Sequence, residues 1–385
     1  MPKTIIVVGA GPAGLSLARG LAESAHQILL IEPQSRDTLA DPAPDGREIA
    51  LTLRSQAILS DYGVWSRIPQ AEIFPLREAR VRNGASPFAL SIGPDSGDAL
   101  GQLVSNHLIR RALFSAVAEQ ANATFLCGRK VVSAQTDTRG VRVELDDGTT
   151  LSGALLVTAD SRFSNTRAML GIAASVERFG HTMLVARIAH STPHGGIATE
   201  WFDDERTIAM LPLGAGMASL VVTLPDAEAK QLCACADAAI EAHFADYLGS
   251  ELGEISLITR PTPYPLAMTY AQRFSAPRAA LVGDTAVGMH PVTAHGFNFG
   301  LLGASRLAAL IGPARDPGAP LLLRRYALRH RIATLPLYQA TLHVVRLFTD
   351  RRRLARPLRR GALRLGALPP VRRIMARLLS EARPA

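Results

Sequence analysis

Three glycines fall within one six-residue run, Gly9-Ala10-Gly11-Pro12-Ala13-Gly14, directly after the β-branched stretch Thr4 to Val8 and before a helical pattern that lasts to Ala22. Glycines so spaced between a strand and a helix can hold a pyrophosphate. The first permits the tight turn, the second lets phosphate approach the backbone, and the third lets the helix pack closely, while the helix N-terminus offers unpaired N–H groups and a positive dipole end. Glu32 closes the next apolar run, 18 residues beyond Gly14, where a carboxylate can accept both hydroxyls of an adenosine ribose. The glycine spacing alone is a weak signal, and Gly214-Ala215-Gly216 in the same chain reads only as a hairpin turn. Strand, helix and acid together convert the first run into a dinucleotide site. They do not separate FAD from NAD.

A second set of residues follows far downstream. Ala279 to Thr285 reads as a buried strand ending at Gly283 and Asp284, and the chain continues through His290 and Pro291 to Ala294-His295-Gly296-Phe297-Asn298, where another helix begins. A helix N-terminus at that point would stabilise negative charge placed before it.

The elements that must position these groups can be traced along the chain. Thr4 to Val8, the helix to Ala22 and Ile28 to Ile31 form one βαβ unit. Residues 37–46 are rich in Asp, Pro and Gly and are expected as a surface loop; helical spacing is expected over Arg47 to Trp65, over 103–121 and, as one segment, over 226–248. Residues 140–159 alternate around the turn Asp146-Asp147-Gly148, and strand patterns dominate 176–274. Strand-rich sequence inserted between nucleotide-binding segments implies a second domain laid over the cofactor.

Composition bounds the possibilities. At 385 residues the chain suits two domains, and 48% hydrophobic against 19% charged residues is globular rather than disordered. Cys127, Cys233 and Cys235 have neither metal-site nor disulfide-framework spacing, so no metal is expected and a reducing, cytoplasmic compartment is. The longest uncharged stretch, Thr207 to Pro225, is broken by Pro212, Gly214 and Gly216 and reads as two strands and a turn instead of a membrane span. The net charge of +9 is uneven, since residues 324–385 hold sixteen Arg against Asp350 and Glu381. Val371, Ile374, Met375, Leu378 and Leu379 make one apolar helix face after Pro369-Pro370, flanked by Arg372, Arg373 and Arg377, with Arg351, Arg352, Arg353, Arg356, Arg359, Arg360 and Arg364 upstream. That pattern suits a helix lying on an anionic membrane surface, and equally a helix packed on the protein with a solvated basic back. No aromatic interleaving or binding motif points to nucleic acid.

The Gly283-Asp284 run with its sequel resembles the motif of class A flavin monooxygenases. Arg47-Glu48-Ile49-Ala50-Leu51, Tyr62 to Trp65, Val157 to Asp160, Glu200-Trp201-Phe202, Leu211 to Leu213, Tyr264 to Leu266 and Leu347-Phe348 fall in family order over nearly the whole chain. Within that class the chain is most similar to the ubiquinone-biosynthesis ring hydroxylases, and Thr293 to Phe297 suggests their UbiM type. It departs from the family at Ser161 after Asp160, at Val287-Gly288, and at Ala294-His295-Gly296.

The resemblance implies an α/β fold: a Rossmann-like FAD-binding domain (residues 1–78, 100–175 and 275–323), an inserted β-sheet substrate domain (79–99 and 176–274) and a basic helical C-terminal segment (324–385). It implies FAD held by Gly9, Gly11, Pro12, Ala13, Gly14, Glu32, Arg47, Asp160, Gly283, Asp284, Gly296, Phe297 and Asn298, with His290, Pro291 and His295 as flavin-edge candidates. NAD(P)H is the implied electron donor and O2 the co-substrate. The implied reaction places one oxygen atom, through a flavin C4a-hydroperoxide, on the ring of a polyprenylated phenol or quinol, with demethoxyubiquinol-type hydroxylation at the cytoplasmic membrane surface beside other ubiquinone-biosynthesis proteins. An isoprenoid double-bond reductase and a non-catalytic flavin-fold subunit of a membrane-associated complex share these features. The residues identify no catalytic base.

Overall fold

The computed structural model describes residues 2–84, 86, 88–93, 99–203, 206–249, 251–349 and 355–380. The βαβ unit forms as its sequence dictates. Thr4–Val8 and Gln27–Glu32 pair in parallel around the helix Pro12–Gly20, and Ala123–Cys127, Leu155–Thr158 and Ala279–Leu281 extend them into a six-stranded sheet closed at one edge by Ser275–Ala276. Ile5, Val7, Leu30 and Val157 are fully buried within it, as parallel strands covered on both faces require.

A nine-stranded sheet dominates the other half. Its path runs Val287–Gly288, Thr262–Ala271, Ala174–His190, Met217–Pro225, Thr207–Pro212, Ile197–Phe202, Glu78–Asn83 and Ala89–Ile92, with Ile255–Leu257 on the side. One face packs a closed core of Leu184, Ile208, Leu220 and Val222 against the helices Asp226–Ala234 and Asp237–Leu248. The opposite face looks towards the six-stranded half. Thr207 to Pro225 is the expected hairpin, with Gly216 at φ +71° in its turn.

Three expectations need correcting. Arg47 to Trp65 is not one helix, because Glu48–Thr52 is a strand paired with Gly101–Ser105, and Thr52 then caps the helix Leu53–Asp61 by accepting from the Ser55 N–H at 3.1 Å. The same pairing takes residues 103–105 into the strand, so the next helix is Asn106–Ala118. Residues 226–248 are two helices, divided where Cys235 and Ala236 take extended backbone. The first two depend on partners some fifty residues away, which local periodicity cannot see. Within 37–46, Arg36–Ala40 is a short helix capped by Ser35.

The C-terminal segment begins as part of the core. The helix Pro320–Thr349 carries Tyr326, whose hydroxyl donates to the Leu281 carbonyl at 2.6 Å, and Tyr338, whose ring lies 4.7 Å from that of Tyr270. Beyond it, Ala355–Gly366 and Pro369–Ser380 are helical, and Leu363 is buried against Leu90, Ile92 and Phe202 at the far edge of the nine-stranded sheet. Arg351, Arg352 and Arg353, and the side chains of Arg356, Arg360, Ile374, Met375, Arg377, Leu378 and Leu379, lie outside the described residues. No helix among the described residues is long and apolar enough to cross a membrane.

Candidate active site

Between the two large sheets lies a cavity of about 960 Å³, at the upper end of the roughly 300–1,000 Å³ usual for cofactor and small-molecule sites. Every site residue named from the sequence borders it except Gly14, which lies beneath the glycine turn.

The glycines differ in what they are for. A Cβ on Gly14 would stand 1.9 Å from the Gly9 carbonyl oxygen, and one on Gly9, at φ +102°, 2.5 Å from the Ala159 oxygen. Those two are demanded by the protein's own packing. A Cβ on Gly11 would meet nothing within 4 Å, so its bareness keeps open a space that no protein atom fills. The helix behind it has no side-chain cap, which leaves its first N–H groups available to an anion. Glu32 is fixed beside this space, one carboxylate oxygen accepting from the Ala10 N–H at 2.8 Å and the other from the Gln34 N–H at 3.1 Å.

The second motif is locked onto the first. Gly283, at φ +64°, places its α-carbon so close to Ala13 that a Cβ would lie 2.6 Å away, and Gly300 of the helix Gly296–Ile311 packs on Gly283 from behind. Asp284 accepts from the Arg162 guanidinium at 2.9 Å, and Arg162 also holds the Ala267 carbonyl. Asp160 accepts from the Thr285 hydroxyl at 3.2 Å and the Thr166 N–H at 3.4 Å, tying the end of one central strand to the Gly283 turn. Arg47 pairs with Asp45 at 2.6 Å and lies 5.2 Å over the Tyr264 ring, whose hydroxyl donates to the Asp45 carbonyl. Asn298 joins three segments: its amide donates to the Ala50 and Ala294 carbonyls and its oxygen accepts from the Thr52 N–H.

The two histidines part company. His290 accepts from the Val292 N–H on Nδ1, which places the ring proton on Nε2, and its edge meets Phe179 at 5.2 Å. Burial, helped by Arg162 and His181, pushes its pKa down to about 4, so it is neutral at physiological pH. His295 instead turns inward, 2% exposed, bonding the Thr293 carbonyl and packing 5.6 Å from Phe299. Its side chain does not cap the helix Gly296–Ile311, so that N-terminus also faces the cavity uncapped. Ala294, just before it, takes the left-handed conformation at φ +53°.

Sequence reasoning assigned no site role to Arg162 or Glu48, and it placed Glu200, Phe202, Leu211, Tyr264 and Leu266 of the sheet wall only by family order. The Glu48 side chain is 1% exposed, is pushed up in pKa by burial, and is held by Arg187 at 2.8 Å and the Ser105 hydroxyl at 2.9 Å, joining the small sheet of Glu48–Thr52 to the nine-stranded sheet. Only the pairing of distant strands identifies such a partner. The wall itself could have been sought in the alternation of Ile197 to Phe202, where Trp201 packs on the outer core and Glu200 takes the opposite side.

Two helix N-termini without side-chain caps, an open glycine turn and a fixed ribose-side acid fit a dinucleotide. The chain matches the family described as FAD binding domain over residues 3–335. It is 40% identical to a ubiquinone hydroxylase, UbiM, of Neisseria meningitidis over 98% of this chain and 84% of that protein, and 32% identical to a ubiquinone hydroxylase, UbiL, of Rhodospirillum rubrum over 95% and 91%. A 3-demethoxyubiquinol 3-hydroxylase of Escherichia coli is 27% identical over 85% of each chain. Among solved structures, p-nitrophenol 4-monooxygenase PnpA of Pseudomonas putida superposes with a TM-score of 0.78 at 17% identity over the whole of both chains. PqsL, a probable FAD-dependent monooxygenase of Pseudomonas aeruginosa, gives 0.75 at 21% identity over 92% of this chain and 99% of that one. With this cavity, fold and family match, the chain belongs to the FAD binding domain family and is an FAD-dependent, oxygen-inserting monooxygenase.

Proposed function

We propose that this enzyme hydroxylates the ring of a polyprenylated phenol or quinol of ubiquinone biosynthesis, in a reaction of the demethoxyubiquinol type. The observation that carries the reading is one continuous cavity, from the open turn at Gly11 past Asp284 to a sheet wall of Ala79, Val81, Ala198, Ala209, Leu211 and Val221. These six side chains are small or apolar and suit a flat ring with an isoprenoid tail. The 40% identity to a ubiquinone hydroxylase supports the same substrate class.

Bound reduced FAD, re-reduced by NAD(P)H, supplies electrons to O2 and so furnishes an electrophilic oxygen atom. The chain's own part is to bind, orient and keep the space dry. Gly9, Gly11, Pro12, Ala13 and Gly14 shape the pyrophosphate seat, and Glu32 holds the adenosine ribose. Arg47, Asp160, Gly283 and Asp284 line the middle of the cofactor. Gly296, Phe297 and Asn298 would present the helix N-terminus to the flavin ring, where its dipole would stabilise negative charge. His290, neutral with its ring proton on Nε2, and Pro291 would stand at the ring edge, while His295 would act through the turn it braces. The cofactor domain comprises residues 1–78, 100–175 and 275–323, and the substrate domain 79–99 and 176–274.

The arginine-rich end, residues 324–385, draws the enzyme to the inner face of the cytoplasmic membrane, where the polyprenyl substrate and other proteins of the pathway reside. Flotation with anionic vesicles tests this attachment, and a folded protein that stays wholly unbound rules it out. For the reaction itself, purified FAD-loaded enzyme with a prenylated phenol, NADH or NADPH and ¹⁸O2 is expected to give product carrying one labelled oxygen. Reduction of a side-chain double bond without label would reject hydroxylation.

A further inference from the structure

Among the described residues five carboxyl groups border the cavity, and four of them are engaged. Glu32 accepts from backbone N–H groups, Glu48 is held by Arg187 and Ser105, Asp160 by Thr285 and Thr166, and Asp284 by Arg162. The fifth is Glu200, and among the described residues no hydrogen bond or ion pair reaches it. The side chain is half-buried, and its carboxyl meets the cavity and no protein partner among those residues; a carboxyl so placed is available to whatever the cavity binds.

Strand register fixes where this group points. Glu200 sits between Val81 and Ala209 on its two neighbouring strands, while Trp201, one position on, packs into the closed core behind the sheet. Val221, opposite Ala209, continues the same cavity-facing row. Among the described residues Glu200 is therefore the one carboxyl set in the sheet wall where the proposed ring would lie. Its remaining accessible surface borders the cavity, and the surrounding protein removes it from bulk water.

We infer that Glu200 is a catalytic residue, receiving the hydroxyl proton of the phenol substrate as the ring is oxygenated. This rests on the hydroxylase reading above. In the step, the substrate O–H bond breaks and its proton passes to the Glu200 carboxylate. The freed electron pair forms a ring carbonyl, and the ring carbon bonds the electrophilic oxygen that reduced FAD and O2 supply. Loss of that carbon's hydrogen as a proton, with return of a proton from Glu200 to the carbonyl oxygen, restores the aromatic ring; the second atom of O2 leaves as water.

Burial raises the Glu200 pKa to about 8, closer to a phenol's value near 10 than an ordinary carboxylate, as an effective general base requires. The charged neighbours do not produce this value. Arg80 and Arg82 of the adjoining strand are in register with Thr199 and Trp201 and pair with Glu78 and Glu251. His181 and Tyr264 on the sheet bond backbone carbonyls, Arg206 pairs with Asp203, and across the cavity Arg162 pairs with Asp284 and Arg47 with Asp45. His290 is neutral, and Arg359, beyond Phe202, donates to the Leu347 carbonyl.

The test uses 2-geranylphenol with the FAD-loaded enzyme. Binding to the oxidised protein without O2, followed by flavin absorbance, is expected to tighten about tenfold from pH 6.5 to 9 as the carboxylate forms and accepts a charged hydrogen bond. Glu200→Gln should bind with no such pH dependence and lose hydroxylated product by about 10²–10⁴-fold, whereas Glu200→Asp should keep the pH dependence. A Gln variant that keeps wild-type turnover and pH profile overturns the assignment, as does a pH-independent affinity in the wild type. Failure of the parent reading looks different: the wild type would bind 2-geranylphenol with the Glu200 signature and yet incorporate no ¹⁸O.

Discussion

The two ends of the cavity are built on opposite principles. At the glycine turn the site is backbone: Gly11 leaves space, an uncapped helix offers N–H groups, and Glu32 stands 2.8 Å from the Ala10 N–H. At the sheet wall the site is side chains, alternate residues of strands joined from Ala79 to Tyr264. A backbone seat tolerates almost no change in shape but accepts any ligand with the right phosphate geometry. A sheet wall can be altered residue by residue.

The sharpest way to break this comparison is at Gly14. A valine there would thrust a side chain into the Gly9 carbonyl, at 1.9 Å from its Cβ, and should cost more than about 3 kcal/mol. The measurement is chemical denaturation together with FAD content, and a folded, FAD-loaded variant would refute the packing argument.

Next in size is Arg187→Ala, which strands Glu48 in the interior and separates the small sheet from the nine-stranded one. Breaking a buried pair of this kind costs about 3–5 kcal/mol. The loss should shrink as pH falls, because a protonated Glu48 no longer needs its partner. Urea denaturation at pH 5 and pH 8 compares the two conditions.

Glu200→Gln should act in the opposite direction on stability. The Glu200 pKa is raised from an ordinary 4.5 to about 8 in the folded protein, so the wild type loses stability as pH rises between those values. Relative to it, the Gln variant should gain nothing below pH 4.5 and up to a few kcal/mol above pH 8, at about 1.4 kcal/mol per pKa unit. Melting temperatures of FAD-loaded proteins across pH 5–9 read this directly, and parallel curves would show that the cavity wall does not disfavour the Glu200 carboxylate.

Gly11→Ala is the mildest change and the best contrast to Gly14. With no protein atom within 4 Å of its Cβ, stability of the FAD-free protein should change by less than about 0.5 kcal/mol. FAD affinity should still fall at least tenfold, as measured by fluorescence titration. Equal losses in fold and affinity would show that both glycines serve packing.

The strand-turn-helix-strand unit, its acid and the Gly283-Asp284 turn were legible because each is local: the residues that make each turn are neighbours in the chain. The helix expected over Arg47 to Trp65 was not, since Glu48–Thr52 becomes a strand only by pairing with Gly101–Ser105. His295 shows the same limit within a motif, for its position next to Gly296 was readable but the direction of its ring was not.

By itself the sequence determined a dinucleotide seat, two halves of different strand content and an arginine-rich end, all consequences of short-range periodicity, spacing and charge. Only the tertiary structure decided that Arg162 bonds Asp284, that Glu48 bonds Arg187, and that Glu200 faces the cavity with no partner among the described residues. Those facts depend on which distant strands lie side by side, and a side chain's surroundings, unlike its identity, are settled only when the sheets meet.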